Sequence, residues 1–116
     1  MSQDGPREQF LRDPPQQRLE RLAAHFERIA SCIRQRQPET ALAETLRQTR
    51  AFCEWAAAEE RSTSVKQLLL NVTMALQTLQ AVWPRMGTQR EFRLAVAREA
   101  DLWSRRLPTL SGDARG

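Results

Sequence analysis

The chain has 116 residues, a net charge of +4 and a sequence pI near 10.4. That length suits one domain with a small core. No run is long and free enough of polar residues to span a membrane: Gln67 to Trp83, the longest uncharged stretch, holds six polar side chains. Met1 to Pro15 has no apolar segment of a secretory kind, so the expected place is the cytoplasm, with both cysteines as free thiols.

Seventeen of the 18 basic residues are Arg; the exception is Lys66. Such a bias fits phosphate or carboxylate partners, and it equally fits a genome rich in arginine codons. Ala, Leu, Gln, Glu and Arg dominate, and no stretch alternates with period two. The expected fold class is all-α.

Met1 to Asp13, with Gly5 and Pro6, reads as a flexible N-terminal arm on which Phe10 can dock. Asp13-Pro14-Pro15 predicts a helix start capped by Asp13. Leu19, Leu22, Phe26, Ile29 and Ile33 carry this first helix over 14–36. Pro38 opens a second helix over 38–60, with Leu42, Leu46, Thr49, Cys53 and Ala56 as its inner stripe. Ser62 or Ser64 caps a third, over 64–83. Pro84 is expected to close it at Trp83. Thr88 and Glu91 fit the reciprocal Thr-x-x-Glu capping box, which opens a fourth helix over 88–107. Short connections between four helices predict an up-down-up-down bundle over 14–107, followed by a disordered tail over 108–116. In that arrangement Trp55 and Trp103 share one end of the core.

The third helix is the most informative. Val65, Leu69, Val72, Leu76, Leu79 and Trp83 form one apolar face, and Lys66 is the only charge between Val65 and Trp83. A surface helix normally offers water a charged face, so this one is expected to be covered on most sides, by its own chain or by another.

Catalytic chemistry finds little support. Cys32 and Cys53 fall too far apart along the first hairpin for a disulfide. His25 is the only histidine and reads as a boundary residue, with no Cys or carboxylate at a ligand spacing. Glu59 and Glu60 point about 100° apart on a helix, so they make no acid/base pair. Glu99 lies beside an apolar stripe and invites an Arg partner. The Glu-x-x-His motif of di-iron bundles, phosphate-binding glycine loops and the nucleophile elbow are absent from the sequence. No metal, cofactor or catalytic residue is assigned, and the chain reads as non-enzymatic.

Two binding readings remain. The first is a protein interaction module, self-associating or acting on a partner, with Trp83, Arg85, Met86, Asn71 and Thr78 as candidate contacts. The second is a nucleic-acid-binding accessory protein. It would use Arg18, Arg21 and Arg28 of the first helix with Arg93, Arg98, Arg105 and Arg106 of the fourth as one basic side. The same arginines also read as a solvated face with ordinary i,i+4 pairs. In length, architecture and charge the chain resembles ribosomal intervening-sequence proteins and the accessory proteins of diversity-generating retroelements. It shares no motif with either, so no residue role is carried over.

Overall fold

The computed structural model describes residues 5–110. Among them lie five α-helices: α1 Pro6–Arg12, α2 Pro15–Arg34, α3 Glu39–Glu59, α4 Thr63–Met86 and α5 Arg90–Arg106, with a 3-10 turn at Leu107–Thr109. The expected all-α class is what these residues form; the count of four helices is corrected to five. The tail expectation falls partly on Ser111 to Gly116, outside the described residues. Leu110, just before them, is buried.

The additional helix is α1, inside the segment read as a loose arm. Phe10 explains it. The ring is fully buried, stacked on Phe52 at 4.9 Å and tilted against Trp55 at 6.2 Å. Seven residues are too few to hold a helix by backbone propensity, so this docking fixes it. Arg18 finishes the job by donating from Nε to the Asp13 carbonyl (2.9 Å) and from Nη2 to the Leu11 carbonyl (2.7 Å), at the unsatisfied end of α1. Asp13 therefore ends α1 and does not cap α2. Its carboxylate takes the Arg21 guanidinium at 2.7 Å, and Pro14 stands at the N-cap of α2.

α2 packs against both α3 and α5, α3 against α4, and α1 against α3. His25 lies beside Phe52 (4.5 Å between rings) and Cys32 beside Thr45 (4.0 Å), so α2 and α3 form an antiparallel pair. Small residues line the α2–α5 seam: Ala23 and Ala30 on one side, Ala97, Ala100 and Ser104 on the other, all buried. Small side chains let helix axes approach closely, so α5 is drawn onto α2. Arg34 bonds Asp101 across this seam, and Gln16 Nε2 donates to the Pro108 carbonyl at 3.0 Å. No such seam joins α4 to α5, whose backbones barely approach one another. The molecule is accordingly a slab of 42 × 39 × 21 Å. Trp55 and Trp103 do not share a core layer: Trp55 joins Phe10 and Phe52, while Trp103 leans on Phe26 at 6.4 Å.

The α4–α5 corner departs most from expectation. α4 runs through Pro84 to Met86. A proline in a last turn removes one backbone donor, and the rest of the turn is pinned by tertiary contacts. Trp83 Nε1 donates to Glu39 at 2.7 Å, and Gly87 N donates to the Trp83 carbonyl at 2.7 Å. The turn therefore falls later than the sequence suggested. Gln89 becomes the N-cap of α5, with no side-chain cap bond, and the Thr88-x-x-Glu91 box does not form. Arg93 holds the turn by donating to the Gly87 carbonyl at 2.9 Å. At the start of α4, Ser62 does cap as expected, its Oγ accepting from Val65 N at 3.4 Å.

Candidate functional site

The missing α4–α5 seam leaves a groove. α4 has a second apolar stripe beside its core face: Leu68, Val72, Ala75, Leu79, Val82 and Met86, stepping by four and three. At 100° per residue this edge lies about a quarter turn from the buried face of Leu69 and Leu76, on the side of α5. Only Val72 of the stripe is buried. Across from it stand Val96, Glu99, Ala100 and Trp103 of α5, and Phe26 and Ile29 of α2 form the floor. The recess between them has a volume of about 180 Å³. Its lining is apolar except for Glu99, which is exposed and stands clear of the five ion pairs found among the described residues. The Arg106 guanidinium lies over the Trp103 ring at 5.3 Å, one turn along the same edge.

The protein-contact candidates divide. Trp83 is buried at the α3–α4–α5 corner, with Arg93 over its ring at 5.4 Å and Phe92 at 5.8 Å; it closes the core. Asn71, Thr78 and Arg85 are exposed along one line of α4, and Met86 is half-buried at the end of the groove stripe. Of the expected cover of α4, its own chain supplies one side. Gln67, Asn71, Thr78, Leu70 (40% exposed) and Met74 (65%) all face solvent in the single chain, because α4 lies at the edge of the slab with a neighbour on one side. Within this chain the charge-free outer side of α4 is thus left open.

The seven candidate arginines are also divided. Arg18 caps α1, Arg21 pairs with Asp13 and lies over the Phe10 and Phe52 rings (5.8 and 6.0 Å), and Arg28 sits near His25, all on the α3 side of α2. Arg93 is consumed at the α4–α5 corner, donating also to the Ile33 carbonyl at 3.3 Å and lying 3.5 Å from the Glu39 carboxylate. Arg98, Arg105 and Arg106 are exposed on α5. Helical spacing puts Glu20 and Glu27, both exposed, on the ridge of α2 between its arginines and those of α5.

The titratable interior is inert. His25 packs on Phe52, and its buried Nδ1 finds no hydrogen-bond partner. Burial first, then the charges of Arg28 and Arg21, hold its pKa down to about 4. Burial, helped by Glu54, pushes the Cys53 thiol up to about 12. Both thiols are free and buried. No group of three or more metal-ligating side chains occurs among the described residues, and no helix there is long and apolar enough to cross a membrane.

The groove could not have been singled out from the sequence stripe that seemed dominant. Its signal was the second stripe of α4, hidden because Val72 and Leu79 belong to both. Compared with protein-family models, curated proteins and solved structures, the chain matches none.

Proposed function

We propose that this chain is a non-enzymatic helical interaction module whose α4–α5 groove receives an uncharged, amphipathic helix. The observation that supports it is the pair of apolar edges, exposed Ala75 with half-buried Leu79 and Val82, and half-buried Val96 and Trp103, whose backbones barely approach one another across the recess. Helix-in-groove recognition reads apolar anchors at i, i+3, i+4 and i+7, which is the spacing this cleft offers. An occupant would complete the missing corner of a four-helix arrangement. It would also cover Trp103, a residue type that carries binding energy.

A titration followed by ¹H–¹⁵N NMR tests this reading. The probe is a synthetic helical peptide of Leu, Ala and Gln with a single apolar stripe and no charge. Shift changes confined to Val72, Ala75, Val96 and Trp103 are expected. Changes scattered over the surface, or none at saturating peptide with the chain monomeric, refute it. The nucleic-acid alternative draws no support from the arrangement of arginines, since Arg18, Arg21 and Arg93 are bonded to their own chain.

A further inference from the structure

We propose that the occupant of the groove is a second copy of this chain: α4 of each copy lies against α5 of the other, around a twofold axis running along the groove. The inference rests on the groove being a docking site and names what docks.

Residues 1–4 and 111–116, the part outside the description, include no large apolar side chain besides Met1. A second α4 has the required chemistry. Its open edge presents Leu68, Ala75, Leu79 and Val82, and Gln67 to Trp83 contains no charge. Two copies each carrying +4 repel through their arginine-rich surfaces, and from Gln67 to Trp83 α4 adds no charge to that repulsion.

Glu99 selects the pairing. If α5 met α5 across the axis, the two Glu99 carboxylates would face each other in an apolar setting. α4 has no acidic residue; its only charges are Lys66 and Arg85. Laying α4 on the partner's α5 therefore puts Glu99 against a neutral-to-basic helix. Asn71 and Thr78 flank the stripe on its outer side, where a polar rim belongs.

The area suffices. From Leu68 to Met86 the stripe is about 27 Å long, and two helices side by side are about 20 Å wide. The flat projection is thus roughly 540 Å² per copy, and both faces together clear the roughly 1,000 Å² of a specific interface.

Light scattering on the full chain at high micromolar concentration is expected to read twice 13.4 kDa. Ala75→Arg, at an exposed groove position, is expected to give a monomer of unchanged helicity; if it loses helicity, Val82→Arg is read in its place. Met74→Arg, about 120° round α4 from the centre of the groove stripe, is expected to leave the dimer intact. Mixing Thr78→Cys with Glu99→Cys chains under oxidation is expected to give the mixed disulfide in excess over the Glu99→Cys homodimer. A monomer at every concentration overturns the proposal, as does a dimer that Met74→Arg breaks and Ala75→Arg does not, or one cross-linked mainly through Glu99→Cys alone. A monomer that still binds the peptide probe at Ala75 and Trp103 overturns self-pairing and keeps the groove reading.

Discussion

Replacing Gly87 by alanine tests whether the α4–α5 corner is as tightly closed as its geometry says. Gly87 has ordinary helical angles, φ −67° and ψ −11°, so its backbone does not require glycine. Space does. A Cβ there would lie 2.7 Å from Trp83 Cε2 and Nε1 and 2.8 Å from the Trp83 carbonyl oxygen. The indole cannot retreat, because Nε1 is bonded to Glu39 and Arg93 covers the ring. At an unconstrained helical site Gly→Ala stabilises by about 0.4–1 kcal/mol, through the unfolded state. Overpacking costs about 1–3 kcal/mol, so the net expectation is a loss of roughly 1–2 kcal/mol. In urea, with a slope of about 1–3 kcal/mol/M, the midpoint falls by roughly 0.3–2 M. A double-mutant cycle isolates the cause: in a Trp83→Leu background the cost of Gly87→Ala should fall, since the indole contacts are gone and only the backbone carbonyl of residue 83 stays close. An equal cost in both backgrounds, or none in the native one, refutes the steric argument.

Three further outcomes are expected. Arg36 sits at φ 51°, just past α2, where Gln37 N donates to the Cys32 carbonyl (3.0 Å) and Arg36 N to the Ile33 carbonyl (3.3 Å). Glycine is at home in this left-handed cap, so Arg36→Gly should raise the urea midpoint, by about 1 kcal/mol in stability. His25 has its folded pKa lowered to about 4 from 6.5, so the unfolded chain binds the extra proton. Stability is full above pH 6.5 and falls as pH drops toward 4, by at most about 3 kcal/mol and less after solvent screening. His25→Leu should flatten that part of the pH profile, and an unchanged slope excludes this histidine as its source. Phe10→Ala removes a fully buried ring, a loss of about 3–5 kcal/mol if α1 stays docked. Since only α1 depends on it directly, the expected readout is rapid tryptic cleavage near Arg7 and Arg12 while α2 to α5 remain protected.

Periodicity made α2, α3, α4 and α5 legible, because each has a dominant apolar face, and α2, α3 and α4 have a Pro or Ser near the start. α1 was not, since a short helix lives on one tertiary contact that no local pattern announces. The capping box failed for a related reason. Thr88 and Glu91 have the right spacing, but the Trp83–Glu39 bond and Arg93 carry α4 past Pro84 and move the turn by a residue. The absence of charge on α4 is plain in the sequence, but spacing alone does not say whether the cover comes from the same chain; a neutral helix can lie at an edge of its own subunit. The groove depends on which helix pairs fail to meet, a property of distances between helices that residue spacing does not encode.

The alanine-lined contact between α2 and α5 has a mechanical consequence. It anchors α5 from behind, so it sets how widely the cleft gapes in front. Ala97→Val or Ala30→Val would act as a shim there, pushing α5 outward and resizing the mouth with no residue of its rim altered. Affinity for whatever enters could thus be tuned by side chains that never touch it.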